Sequence, residues 1–108
     1  MNNKNDPDQT VLQELMDAKS DIAKPHSIDF ALYFPTQSAA ENAKEPITDI
    51  LQSDEIRIVP SGYDDYLFEV HKVMVPDLAT LRSLRNKLTN VATQFNGTYD
   101  GWGAAVED

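Results

Sequence analysis

The sequence contains no cysteine, few glycines and no long apolar run. Without cysteine, disulfides and thiolate chemistry are excluded. No apolar stretch approaches the roughly 20 residues that cross a bilayer, and residues 1–23 lack the apolar core of a signal peptide. We therefore expect a cytoplasmic protein that neither crosses a membrane nor depends on disulfides.

Basic residues are also scarce. Nine Lys and Arg stand against eighteen Asp and Glu, which gives a net charge of -9. Because nucleic-acid affinity depends on cations that neutralise phosphates, we expect no direct nucleic-acid binding. The acidic excess fits either solubility alone or a basic protein partner attracted by electrostatic steering.

The first half of the chain shows a helix, a strand and a second helix. Asp6-Pro7-Asp8 resembles a helix start and predicts a helix over about 8–22, ended by Lys24-Pro25. Apolar and polar residues then alternate over 27–34, which predicts a half-buried strand. A helix is predicted over 37–51, and Pro46 is expected to kink or split it.

The second half predicts a hairpin, a helix and a last strand. A short strand from Ile56 and a strand over 66–75 are joined by a turn, which favours an antiparallel hairpin. After Pro76-Asp77 an unbroken apolar stripe predicts the clearest helix, which ends at Asn96-Gly97. A final strand is predicted over about 98–106.

The element order is a helix followed by β-α-β-β-α-β, the ferredoxin-like pattern. The predicted fold class is therefore α+β: a ferredoxin-like α/β sandwich with a four-stranded antiparallel sheet and an extra N-terminal helix. We divide the chain into an N-terminal tail and helix, 1–26, and the ferredoxin-like domain, 27–108. Whether the extra helix packs on the edge of its own domain or on a second subunit is left open.

Signatures of catalysis are missing. The sequence has no Gly-rich phosphate loop, no Gly-x-Ser-x-Gly turn and no His-Glu-x-x-His helix. His26 is predicted in a loop, whereas His71 shares a strand face with Glu69 and could contact it; a third metal ligand is not visible. We therefore expect no catalytic residue, no metal and no cofactor. The strand over 66–75 also lacks the basic-aromatic signature of RNA-binding domains.

Three groups of residues are candidate partner contacts. The first is Tyr99, Asp100 and Trp102, in a segment that holds the only tryptophan, because Trp and Tyr are enriched at binding hot spots. The alternative is structural: Trp102 packs over a sheet edge and the flanking glycines allow close approach. The second group is Asp64 and Asp65, which form either a contact for a basic partner or a plain hairpin turn.

The third group is Arg82 and Arg85, on the one basic helix. Three residues apart, they share a helix face. They indicate either a surface for an acidic patch, including one on a second copy of the protein, or an ordinary solvated face. A homodimer is therefore left open.

Two motifs carry a family resemblance. Lys72-x-Met74-Val75-Pro76, the amphipathic helix, and then the run Gly97-Thr98-Tyr99-Asp100-Gly101-Trp102-Gly103 resemble the C-terminal half of the RraB family, the protein regulators of ribonuclease E. The resemblance covers about 27–108 and is strongest over 72–103. It implies a ferredoxin-like fold and inhibition of the nuclease by protein contact. The long acidic tail of the best-known member is missing after Asp108, so the fold transfers more readily than the target.

The sequence thus predicts a small acidic, non-catalytic regulator. The resemblance implies that it binds and inhibits or modulates a ribonuclease E-like endoribonuclease and so affects RNA turnover. The alternative is a ferredoxin-like domain that senses a small molecule or dimerises, with an unknown target.

Overall fold

The computed structural model describes residues 7–104, which form three helices and one four-stranded antiparallel sheet. In chain order these are α1 (Pro7–Asp17), β1 (His26–Phe34), α2 (Gln37–Leu51), β2 (Ile56–Pro60), β3 (Tyr66–Met74), α3 (Leu78–Gln94) and β4 (Thr98–Ala104). The strands lie side by side in the order β2-β3-β1-β4. The predicted α+β fold with an N-terminal helix is confirmed; the predicted continuation of the last strand to 106 lies outside the described residues.

Alternation along the strands separates the two faces of the sheet. In β1, residues Ile28, Phe30, Leu32 and Phe34 are at most 1% exposed and lie under the helices. The Phe34 and Phe68 rings meet edge to face, with centroids 5.6 Å apart. Each such side chain contributes roughly 1.5–3 kcal/mol by burial. The intervening residues point to the opposite side of the sheet, which we call the open face.

Helix α2 begins at Thr36, whose Oγ1 accepts a hydrogen bond from the Ala39 amide at 3.0 Å. The helix then continues through Pro46 to Leu51, so the expected split does not occur. Proline removes only one backbone donor. Ala43 and Ile47, both fully buried, anchor the helix on either side of it.

Helix α3 is positioned by signals at both ends. Asp77 accepts hydrogen bonds from the Thr80 amide at 2.9 Å and the Thr80 hydroxyl at 2.8 Å, and these bonds lower the pKa of Asp77. The helix ends before Asn96, which is left-handed (φ 63°). At Gly97 a Cβ atom would lie 2.4 Å from the Tyr33 carbonyl oxygen. A side chain at this position would force the backbone to shift, so glycine is favoured where the chain passes from α3 into β4.

Helix α1 is shorter than predicted, and Pro25 does not end it. Lys19 is left-handed (φ 64°), and the amides of Lys19 and Ser20 donate to the carbonyls of Met16 and Leu15, each at 2.9 Å. This is a Schellman-type helix end. Lys19, and not a glycine, occupies the left-handed position at this helix end. The helix packs against β4 and α3 of its own chain.

His26 is the first residue of β1 and is fully buried, so its predicted loop position was wrong. Its Nδ1 lies 2.8 Å from the Lys24 carbonyl oxygen, and its Nε2 lies 2.7 Å from Ser20 Oγ. Because a carbonyl only accepts, Nδ1 carries a proton. The imidazole thus ties the segment after α1 to the start of the sheet.

Candidate functional site

A β-bulge shapes the segment that holds the only tryptophan. Leu32 of β1 lies opposite Tyr99 and Ala31 lies opposite Gly101, which leaves Asp100 without a partner on β1. Residues three apart on a regular strand face opposite sides of a sheet. The extra residue places both Tyr99 and Trp102 on the helix-covered face. Gly101, with φ 136°, supplies the backbone conformation that the bulge requires.

Trp102 is held within the protein by Asp8. The ring is 6% exposed, and its Nε1 donates to Asp8 Oδ1 at 3.1 Å. Asp8, the second residue of α1, is itself only 1% exposed. The indole therefore faces α1 and not solvent. This burial fits a structural role for Trp102, which the sequence left as the alternative to a partner contact.

Arg85 brings α3 into the same cluster. Its Nε lies 3.0 Å from Asp8 Oδ2, but the N–H group is not aligned for a hydrogen bond. The contact is therefore an ion pair that compensates a buried carboxylate. Arg82, one turn earlier on α3, is half-buried as well. Of this predicted pair, the structure assigns Arg85 to an internal contact.

The fourth member of this group is Tyr99, whose hydroxyl is buried. Burial raises the pKa of the Tyr99 phenol, and the nearby Asp8 carboxylate raises it further, while Arg85 acts in the opposite direction. We call Asp8, Arg85, Tyr99 and Trp102 the α1 anchor, because they join α1 to α3 and β4. Sequence reasoning missed Asp8, since an acid in the first turn of a helix is common.

A cleft of about 560 Å³ follows the edge of β4 from α1 to the open face. It exists because Gly101, Gly103 and Ala31 occupy positions where larger side chains would stand. A Cβ atom on Gly103 would meet nothing within 4 Å. Carboxylates of Asp29, Glu69 and Asp100 also line it.

The acidic turn lies towards the other edge of the sheet, between β2 and β3. Asp64 is left-handed (φ 67°), and Asp65 accepts a hydrogen bond from the Ser61 hydroxyl. Tyr63 beside them is 88% exposed. The three predicted groups thus do not form one site: Tyr99, Trp102 and Arg85 meet around Asp8, whereas Asp64 and Asp65 stand apart.

The family model described as Regulator of ribonuclease activity B matches residues 5–104. The chain belongs to the RraB family. The match extends across α1, beyond the 27–108 span of the motif resemblance. No curated protein matches the chain.

On the open face of this RraB-family chain, polar and charged side chains of neighbouring strands contact each other. His71 Nδ1 lies 3.0 Å from Asp29 Oδ1, so the carboxylate that contacts His71 is Asp29 and not Glu69, the contact that the sequence allowed. Glu69 instead pairs with Arg57, which lies directly opposite on β2. Residues opposite each other across two strands are closer than residues two apart on one strand, which explains both pairs.

Two further searches concern only the part of the RraB-family chain that the structure describes. Between residues 7 and 104 there is no group of three His, Cys, Asp or Glu side chains placed to hold a metal. In the same range, no helix is long and apolar enough to span a membrane.

Proposed function

We propose that this protein binds a ribonuclease E-like endoribonuclease in the cytoplasm and inhibits or modulates it, without catalysis of its own. The observation that carries the proposal is the family match over residues 5–104, whose description is the regulation of ribonuclease activity. A change in nuclease activity would in turn change RNA turnover.

The charge of the molecule favours contact with the nuclease over contact with its RNA. A net charge of -9 repels phosphates and attracts basic protein surfaces. Both histidines are engaged with neighbours, His26 with Ser20 and Lys24, and His71 with Asp29. In both cases the contact has a structural use, since His26 ties the start of β1 to the segment after α1 and His71 joins β3 to β1.

The test is cleavage of a fluorescent RNA by the purified nuclease as this protein is added. We expect cleavage to slow at micromolar concentrations and the effect to weaken as salt rises. A mobility-shift assay with RNA alone serves as the control, because a regulator of the nuclease should leave RNA unshifted. Absence of nuclease binding at micromolar concentration and low salt would contradict the proposal.

One observation favours the alternative of a small-molecule sensor: the volume of the cleft along β4, about 560 Å³, is within the range of ligand pockets. A sensor predicts that some metabolite raises the melting temperature by mass action. A metabolite screen in which no compound shifts the melting temperature would count against it.

A further inference from the structure

The open face carries a row of apolar side chains at its hairpin end. Val59, Leu67 and Tyr33 lie directly opposite one another across β2, β3 and β1. All three are partly exposed, because α2 and α3 cover the opposite face of the sheet. Contiguous exposed apolar surface marks an interaction site more often than scattered residues do.

The hairpin turn adds an exposed aromatic ring to this row. Tyr63, four residues along the chain from Val59, is 88% exposed. The turn is held by its own hydrogen bonds: the Ser61 amide donates to the Asp65 carbonyl at 3.0 Å, and the Tyr63 amide donates to Ser61 Oγ at 3.1 Å. A turn whose backbone is already fixed lowers the ordering cost of presenting this tyrosine to a partner.

Carboxylates surround this apolar row. Asp64 and Asp65 directly follow Tyr63 in the turn. On the other side of the row, Glu69 lies in the next row of the open face, and both Glu69 and Asp100 line the cleft. The basic residue nearest to the row on this face, Arg57, pairs with Glu69, so the negative charge of the border comes from Asp64, Asp65 and Asp100. The surface therefore offers apolar contact inside an acidic border.

The apolar row and its acidic border indicate what kind of partner this surface binds. We propose that the hairpin end of the open face, with the adjoining cleft, binds a basic segment of a protein partner that carries apolar side chains. The apolar side chains lie on Val59, Leu67 and Tyr63, and a lysine or arginine extends over Gly103 beside the carboxylates of the cleft. A second copy is disfavoured as occupant because two chains of charge -9 repel each other. The identity of that partner as the nuclease rests on the proposed function.

The test uses two variants with equal net charge. The double variant Tyr63→Lys/Asp64→Asn changes the proposed surface and raises the net charge by two. Asp49→Lys raises the net charge by the same amount on the exposed side of α2, away from the open face. Asn tolerates the left-handed backbone at position 64, so the turn is retained. A third variant, Gly103→Gln, fills the cleft where the backbone has room for a side chain.

The probe is a short synthetic peptide of Arg, Lys and Leu, titrated into the isotope-labelled protein and followed by NMR amide shifts. We expect shifts at the hairpin and in β4, at least about tenfold weaker binding in the Tyr63/Asp64 variant, and less than about twofold change in Asp49→Lys. Gly103→Gln should weaken binding as well.

Several results would overturn the proposal. The peptide could fail to bind, the two charge-matched variants could weaken peptide binding equally, or the NMR amide shifts could be confined to α2 and α3. Self-association that the Tyr63/Asp64 variant abolishes would make a second copy the occupant. The peptide needs no nuclease, so a nuclease that does not bind would refute the proposed function and leave this surface standing.

Discussion

Replacing Asp8 by alanine removes the acceptor of the Trp102 indole and the counter-ion of Arg85 together. The buried indole N–H then has no partner; a hydrogen bond to a charged group contributes roughly 1.5–3 kcal/mol. The Arg85 side chain is 31% exposed and can turn to water, so its ion pair adds about 1 kcal/mol at most. We expect Asp8→Ala to lower the free energy of unfolding by roughly 2–4 kcal/mol.

The assay is urea unfolding followed by far-UV circular dichroism, which does not depend on the tryptophan that one variant removes. Trp102→Phe should destabilise as well, and the double variant should lose less than the sum by about 1–2 kcal/mol, because the two single changes break the same contact. Asp17→Ala is the control in the same helix. Its exposed carboxylate accepts only the Gln13 amide, at 3.0 Å, and should change stability by less than about 0.5 kcal/mol.

An Asp8→Ala variant as stable as Asp17→Ala would refute this reasoning, as would strictly additive losses in the Asp8 and Trp102 pair. Either result would mean that α1 is held by its apolar contacts alone, with Leu15 as the principal one.

Four other outcomes follow from single positions. Gly97→Ala should lose roughly 1–3 kcal/mol in urea unfolding, since its Cβ would strike the Tyr33 carbonyl, whereas Gly103→Ala should be neutral or slightly stabilising. Melting temperature should fall as pH rises above about 10, because folded Tyr99 keeps its proton after the unfolded chain has lost it, and Tyr99→Phe should remove that part of the slope. The stabilisation from Asp77 should be complete at neutral pH and should be lost as the pH falls below the usual carboxyl pKa. Asp77→Asn should therefore reduce the fall of the melting temperature at acid pH. A melting profile unchanged in either variant would contradict the corresponding statement.

The elements that were predicted well are those in which apolar residues recur with an unambiguous period. Alternation over 27–34 matches β1 to within one residue, and the leucine stripe of α3 is buried as expected. In β4 the pattern fails because Gly101 and Gly103 have no side chains to alternate. The bulge at Asp100 is therefore visible only in the pairing with β1.

The α1 anchor was beyond local reasoning for a different reason. Asp8 and Trp102 are 94 residues apart, and nothing within either segment points to the other. The end of α1 was misjudged because a lysine, and not a glycine, takes the left-handed position. The partner-binding roles of Asp64, Asp65, Asp100 and the other predicted residues remain predictions.

The separation between Asp8 and Trp102 also sets an order of events during synthesis. At about 5–20 residues per second, β4 is made roughly 5–20 s after α1. Throughout that interval the 11-residue α1 lacks its contacts with β4, and an isolated helix of that length is marginal in water. Each nascent chain therefore passes through a stage in which α1 has neither Tyr99 nor Trp102 as a neighbour, and the α1 anchor is complete only when the last strand joins the sheet.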